Sequence, residues 1–125
     1  MTAAATTTSP WPTEIRSARG GAELNVSFDS GESFTYSAEL LRVESPSAEV
    51  QGHSPEEKKT VPGKRHVRIK AIEPAGNYAV VIRFDDGHDT GLFSWDYLHA
   101  LGQQQDEVWQ AYVQRLEEEG LSRDK

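Results

Sequence analysis

The chain contains no cysteine among its 125 residues. A disulfide framework, a thiolate zinc site and an iron–sulfur centre held by the protein's own thiolates are therefore excluded. Long apolar runs are also missing, because no stretch approaches the roughly 20 residues that a membrane-spanning helix needs. Residues 1–12, MTAAATTTSPWP, lack the basic and apolar regions of a signal peptide. We therefore predict a cytoplasmic protein without membrane contact, with residues 1–12 as a disordered leader.

Positive charge is scarce, with 13 Lys and Arg against 20 Asp and Glu, for a formal net charge of -7. Since phosphate contacts need a positive field, we expect no nucleic-acid partner. Motifs of catalysis are missing as well: the sequence has no G-x-S-x-G, no HExxH and no glycine-rich phosphate loop. A chain of this length buries a single core. We predict a one-domain, monomeric protein that is not an enzyme.

Alternating apolar and polar residues predict short β-strands. In the segment 23–28, for example, Leu24, Val26 and Phe28 share one face, which is the period of a half-buried strand. The predicted strands are TEIRSA (13–18), ELNVSF (23–28), SFTYS (33–37), HVRIKAIE (66–73), AVVIRF (79–84) and TGLF (90–93).

Two segments repeat one order of residues, FDSGESFTYSAELL (28–41) and FDDGHDTGLFSWDYL (84–98). Each leads into a short predicted helix that Ser37 or Ser94 can cap, with an acidic residue in the first turn. We predict an α+β fold in two layers: two β-β-β-α units form one antiparallel sheet of about five or six strands, with helices packed on one face. True duplication and two similar hairpins both remain open.

The segment QDEVWQAYVQRLEEEG (105–120) predicts an amphipathic helix that Gly120 ends. Its apolar residues recur at helical spacing, and such a stripe either packs on the parent domain or binds a partner. We place the domain at residues 13–102, and the C-terminal helix and tail at residues 103–125, with the last residues frayed. The apolar residues of the stripe are Val108, Trp109, Tyr112, Val113 and Leu116.

One turn carries candidate metal chemistry. FDDGHDTG (84–91) sets His88 beside Asp86 and Asp89, and an imidazole among carboxylates can bind a divalent ion. The same residues are ordinary turn chemistry, because Asp tolerates the turn and Gly supplies a positive φ. Both interpretations stay open from the pattern alone.

A basic segment, KKTVPGKRHVRIK (58–70), stands out in this acidic chain. Its charges are typical of an edge strand that avoids pairing with another chain. An acidic partner or a phosphate-bearing ligand is the alternative, although no aromatic residues interleave with the charges as in a stacking platform.

Two stretches, LLRVESPSAEVQGH (40–53) and VPGKRHVRIKAIEPAGNYAVVIRFDDGHDTGLFSWDYL (61–98), resemble the gamma-butyrobetaine hydroxylase-like N-terminal domain in its free-standing bacterial form. The resemblance covers roughly residues 13–102. It implies no hydroxylase activity, because the iron and 2-oxoglutarate residues of the carnitine-pathway dioxygenases belong to a domain that does not match this chain.

In those dioxygenases the domain holds a structural zinc through three cysteines and one histidine. The resemblance places these positions on Ser45, Ser47, Val50 and His88. Two hydroxyls, an aliphatic side chain and one imidazole cannot replace a Cys3His site, so the resemblance implies that the zinc role is lost.

The resemblance leads to two functional hypotheses. The first is a non-catalytic binding or adaptor domain for an unknown protein partner, of an iron–sulfur or dioxygenase-related kind, because a similar domain also occurs in iron–sulfur carrier proteins. The expected binding surface comprises Arg42, Ser45, Ser47, Glu49, Gln51, His53, Lys64, Arg65 and His88.

The alternative is a metal-ion or iron/iron–sulfur accessory protein. Imidazole and carboxylate ligands suit iron or zinc, and no other cofactor is expected. The ligands of such a site would be His88, His53, Asp86 and Asp89.

Overall fold

The computed structural model describes residues 10–124. Strand β1 (Pro12–Ala18) begins at the end of the predicted leader, while residues 1–9 of that leader lie outside the described residues. A 3-10 turn over Arg19–Gly21 follows β1. Gly20 adopts a positive φ of 66°, a conformation that glycine reaches without strain.

The first three strands form an antiparallel meander. β1 pairs with β2 (Glu23–Phe28), and β2 pairs with β3 (Ser33–Ser37). Along β2 the residues Leu24, Val26 and Phe28 are buried and those between them are half-buried. The period-two alternation of the sequence therefore sets the inward face of this sheet.

A second antiparallel meander follows, with β4 (Ile69–Ala75), β5 (Ala79–Phe84) and β6 (Leu92–Ser94) in that order. β4 begins at Ile69 and not at His66 as predicted. Pro74 lies inside β4, an edge strand of its sheet, and edge strands are where proline is tolerated because one side of the strand has no partner to bond.

The α+β class, the six strands and the repeated β-β-β-α order are confirmed, but the single sheet that we predicted is not. The strands form two three-stranded sheets that share one core. Alternation specifies which face of a strand is buried and leaves open which edges pair. The shared core includes Leu24, Val26, Phe28 and Tyr36 from the first sheet and Val80, Ile82, Phe84 and Phe93 from the second.

Two short helices follow the first sheet, α1 (Ala38–Val43) and α2 (Ala48–Gln51). The Ser37 hydroxyl accepts a hydrogen bond from the Leu40 N–H at 3.0 Å, which confirms the predicted cap. A 3-10 turn over Pro55–Glu57 and an irregular segment then lead to β4.

The helix of the second unit, α3 (Trp95–Glu118), is 24 residues long and includes the predicted C-terminal helix. Ser94 caps it by accepting a hydrogen bond from the Tyr97 N–H at 3.1 Å. Gly102 is buried inside α3, so the boundary that we placed after it falls within one continuous helix. No helix within residues 10–124 combines the length and apolar character needed to cross a membrane.

The apolar stripe of α3 packs on the domain. Tyr112 and Leu116 are buried against Val43 of α1, with Trp109 half-buried beside them. Val113 remains 41% exposed. The packing interpretation of the stripe is therefore confirmed for the residues that face α1.

Gly120 ends α3 as predicted, with a φ of 69°. The Leu121 N–H donates to the Leu116 carbonyl at 2.8 Å, and the Gly120 N–H donates to the Glu117 carbonyl at 3.2 Å. This pair of bonds is the Schellman arrangement, which needs a left-handed residue after the helix.

The prediction that the last residues fray is wrong as far as residue 124. The Gly63 N–H donates to the Ser122 carbonyl at 2.9 Å, and the Arg65 N–H donates to the Arg123 carbonyl at 3.0 Å. The tail after α3 thus lies against the basic segment, where these backbone bonds fix it.

Candidate functional site

The loop after α1 and the turn after β5 meet at a buried histidine. The Ser45 hydroxyl oxygen lies 2.9 Å from His88 Nε2, and the Ser47 hydroxyl oxygen lies 3.4 Å from the same nitrogen. Exposure falls to 0% for Ser45, 7% for Ser47 and 9% for His88. We name these three residues the Ser–His cluster. Val50 is buried as well, so the four positions that the resemblance singled out all lie in the interior.

The other ring nitrogen of His88 faces a carboxylate. His88 Nδ1 lies 3.3 Å from Glu49 Oε1, which also accepts a hydrogen bond from the Thr90 hydroxyl at 2.8 Å. A carboxylate only accepts, so this contact favours the neutral tautomer with the proton on Nδ1, in which Nε2 accepts from Ser45. The sequence placed Glu49 on a binding surface, but no pattern signalled its contact with a histidine 39 positions later.

The surroundings of His88 favour its neutral form. Burial has the largest effect and lowers the pKa of His88 below its ordinary value of 6.5, and the positive charge of Arg42 acts in the same direction. The carboxylates of Glu49, Asp86 and Asp89 oppose this shift without reversing it. At neutral pH the ring is therefore uncharged and serves as a hydrogen-bonding link.

Ser45, His88 and Glu49 follow one another in the order of a nucleophile, base and acid. Ser45 is nevertheless completely buried, and a Cβ atom placed on Gly91 would lie only 2.4 Å from its hydroxyl oxygen. A substrate carbonyl has no room beside that oxygen. The three side chains join the loop to the turn.

Asp86 forms a second link across the same region. Its Oδ2 atom accepts hydrogen bonds from Arg42 Nε at 2.7 Å and Lys64 Nζ at 2.6 Å, and its Oδ1 accepts from the His88 N–H at 3.0 Å. Burial alone would raise the pKa of Asp86, but these hydrogen bonds outweigh it and lower the pKa to about 2. Arg42 and Lys64, which we placed on the expected binding surface, thus pair within the chain.

Among the remaining predicted binding residues, one side chain points into the protein and the others are exposed. The Gln51 side chain points inward and donates to the Ser45 carbonyl at 2.9 Å. Arg65 is exposed but pairs with Asp124, with Nη2 and Oδ2 3.2 Å apart. His53 is exposed, and Glu49 keeps 67% of its side chain exposed.

The predicted metal ligands do not form a cluster. His88 Nε2 faces hydroxyls, Asp86 pairs with two cations, and the Asp89 carboxylate lies 2.8 Å from Arg83. His53 contributes a backbone N–H to Glu57 at 2.8 Å. Across the described part of the chain, no group of three or more His, Asp or Glu side chains is placed to hold a metal ion.

The zinc site that the resemblance implies in related proteins does not fit these residues. Ser45 and Ser47 present neutral hydroxyls, one of which already bonds the histidine nitrogen that would bind the ion. Val50 offers no ligand atom. A tetrahedral zinc site needs thiolate, imidazole or carboxylate donors at all its protein positions. Hydrogen bonds therefore join the loop after α1 to the turn after β5 at these positions.

An α+β domain with two β-β-β-α units, joined by a loop and a turn at a buried histidine, defines the class of this protein. Residues 15–99 match the family described as gamma-butyrobetaine hydroxylase-like, N-terminal, and the chain belongs to that family. The predicted family resemblance is thereby confirmed. No curated protein matches the chain.

Solved structures resemble the whole chain. Two proteins with NMR solution structures are 47% and 42% identical, each with a TM-score of 0.80. The match with the 47% identical protein spans 98% of this chain and 90% of that protein. The match with the 42% identical protein spans 94% of this chain and 92% of that protein.

A third solved structure comes from Acidithiobacillus ferrooxidans ATCC 23270 and is described as a protein of unknown function in the DUF971 family. It is 37% identical to this chain and has a TM-score of 0.61. The match spans 73% of this chain and 91% of the Acidithiobacillus protein. These likenesses show the fold and the family, and the three solved chains are themselves small domains.

Proposed function

We propose that the chain is a non-catalytic binding domain, an adaptor that recognises a protein partner through the outer side of residues 48–57 and of the turn at residues 85–90. The observation that carries the proposal is the Ser–His cluster. It fixes the loop to the turn from inside, with Ser45 2.9 Å from His88, while Glu49, His53 and Glu56 keep exposed side chains on the outer side. A fixed loop loses little conformational entropy on binding.

The outer side of this surface is acidic. Exposed carboxylates on it belong to Glu49, Glu56 and Glu57, and Asp89 adds a fourth that pairs with Arg83. Complementary charge speeds association and selects partners, so a basic protein surface is the partner that fits best. Because the related domain occurs beside iron-dependent and iron–sulfur domains, cytoplasmic proteins of those kinds are the first partners to test.

The inaccessibility of Ser45 supports a binding role over catalysis. A nucleophile must reach the substrate atom that it attacks. Here the hydroxyl is 0% exposed and is crowded by Gly91.

Site-specific photo-crosslinking in the native cell tests the proposed surface. A photoreactive residue at His53 should crosslink one partner, whereas the same residue at Val113, which is also exposed, should not. The reversal Glu56→Lys should weaken the purified partner's binding, and Glu117→Lys on the exposed side of α3 should leave it unchanged. Crosslinking at Val113 alone, or equal effects of both reversals, would contradict the proposal.

The alternative, a metal or iron accessory role, has less support because Asp86 and Asp89 already pair with basic side chains. Elemental analysis of untagged protein separates the two functions. One ion per chain that is lost in His88→Gln and kept in His66→Gln would favour the accessory role.

A further inference from the structure

An aromatic pocket lies apart from the Ser–His cluster. It forms where the residues before β1, the β4–β5 turn and the start of α3 come together, and it has a volume of about 240 Å³. We name it by the four residues that define its chemistry, Trp11, Tyr78, Trp95 and Asp96. Ligand pockets for drug-sized molecules occupy about 300–1,000 Å³, so this pocket suits a small head group.

The two tryptophans form nearly perpendicular walls. Their ring centroids are 6.3 Å apart with an interplanar angle of 73°. The Trp95 indole N–H donates to the Asn77 carbonyl at 2.9 Å, which holds the plane of the ring. Trp11 is anchored through its carbonyl, which accepts a hydrogen bond from the Asp29 N–H at 2.8 Å.

Tyr78 supplies a third wall. A Cβ atom on Gly76 would lie 2.9 Å from the Tyr78 ring, so the ring rests directly on the turn glycine. Trp11 is 49% exposed and Tyr78 is 53% exposed. Large aromatic side chains grouped at a surface in this way mark interaction sites more often than chance exposure does.

The charge of the pocket selects a cation. Aromatic faces carry negative electrostatic potential, and Asp96 adds an exposed carboxylate in the first turn of α3. That carboxylate also offsets the positive end of the helix dipole. Among the described residues that line the pocket, none is basic.

The hydrogen-bonding groups point to an alkylated cation. The Asn77 carbonyl already accepts from Trp95, and the Ser94 hydroxyl already accepts from Tyr97. A primary ammonium would find the Asp96 carboxylate as an acceptor but would give up hydrogen bonds to water on its other N–H groups against the aromatic walls, whereas a methylated ammonium has no such hydrogen bonds to lose. We propose that the aromatic pocket binds a quaternary or multiply methylated ammonium group, either in a free small molecule or on a lysine side chain.

Indole N–H resonances of the full chain test the proposal, because three tryptophans give an internal control. Choline should shift the signals of Trp11 and Trp95 and leave Trp109, which packs beside Tyr112, unchanged. The neutral isostere 3,3-dimethyl-1-butanol should bind at least about tenfold more weakly, because it lacks the charge that the rings attract. A parallel titration with N-acetyl-trimethyllysine amide distinguishes the two sources of the ammonium group. Tighter binding of this compound than of choline would indicate a lysine side chain, and tighter binding of choline would indicate a free small molecule.

Two substitutions complete the test. Trp11→Leu removes one wall at a half-exposed position, and Asp96→Asn removes the charge while keeping the shape; each should weaken binding of the tighter ligand by about fivefold or more. Leu92→Ala, at an exposed position outside the lining, is the matched control. Three outcomes would each overturn the proposal. Choline and its neutral isostere could bind equally well, or neither cation could shift the indole signals up to 50 mM, which is on the order of the weakest useful affinity. The third outcome is that Trp11→Leu binds the tighter ligand as well as the native chain does.

Discussion

His88 uses both of its ring nitrogens, one toward the Ser45 hydroxyl and one toward the Glu49 carboxylate. In the sequence it stood among aspartates, a setting typical of a metal ligand or of an ordinary turn. In the fold it links a loop to a turn that lies some 40 positions further along the chain. Its neutral state is part of that role, since a protonated Nε2 could not accept from Ser45.

Protonation of His88 should therefore destabilise the fold. Because burial holds its folded pKa below the unfolded value of 6.5, the unfolded state binds more protons in the interval between the two. Its contribution to the free energy of unfolding is full above pH 6.5 and is lost as the pH falls through the folded pKa. Urea denaturation at pH 8 and pH 5 should show a larger loss for the native chain than for His88→Gln.

The exposed His66 gives the matched control, and His66→Gln should keep the loss of the native chain. Asp86, with a pKa of about 2, does not titrate in this interval. Equal pH dependence of the native chain and His88→Gln would contradict the assignment.

The resemblance predicted that Ser45, Ser47 and His88 belong together, and the structure agrees. Residue patterns alone could not have shown this, since two hydroxyls and an imidazole in separate segments carry no periodic signal. The partners of Asp86 were missed for a related reason. A carboxylate in a turn looks the same whether it meets a metal ion or the Arg42 and Lys64 side chains.

Among the elements, α3 crosses the first sheet at Gly102. A Cβ atom there would lie 2.5 Å from Phe34 Cγ and 2.9 Å from the Tyr36 hydroxyl oxygen. Helix propensity favours Ala over Gly by about 1 kcal/mol. We expect Gly102→Ala nevertheless to destabilise the protein by about 1–3 kcal/mol in urea denaturation, because the added methyl group overpacks the crossing.

The exposed helical position Gln104 provides the comparison. Gln104→Ala should change the unfolding free energy by less than about 0.5 kcal/mol. Stability of Gly102→Ala equal to that of the native chain would show that α3 can move away from β3.

Caps and alternation identified the strands and the starts of α1 and α3, because those signals are local. Whether Gly102 stops a helix or lets it approach a sheet depends on the neighbouring element, so the sequence left α3 divided in two. The start of β4 was misplaced in the same way. The Arg68 backbone is tied to Asp85 by two hydrogen bonds, at 2.9 Å and 3.1 Å, and that contact precedes the strand.

At the scale of the whole molecule, the C-terminal tail forms an ion pair with the start of α1. Arg123 donates to both carboxylate oxygens of Glu39, at 2.7 Å and 2.8 Å, and lies 5.0 Å from the ring centroid of Trp109. Glu39 is only 4% exposed. A residue 84 positions away thus neutralises a buried charge at the start of α1.

Arg123→Met should lower the free energy of unfolding by about 1–3 kcal/mol, because it leaves the buried Glu39 charge without a partner. We expect less than a fully buried pair would lose, since the Arg123 side chain is 30% exposed. The double variant Glu39→Gln/Arg123→Met should recover part of that loss in a denaturation cycle. Additive effects of the two substitutions, or a loss no larger than that of Arg65→Gln at the exposed pair with Asp124, would contradict this coupling.

The Ser–His cluster also has a consequence for the conditions under which the domain keeps its shape. A metal site with cysteine ligands forms only when the ion is supplied, and oxidants attack its cysteines. Hydroxyl and imidazole groups have neither dependence. In a cell whose redox balance or metal supply fluctuates, the contact between loop and turn persists.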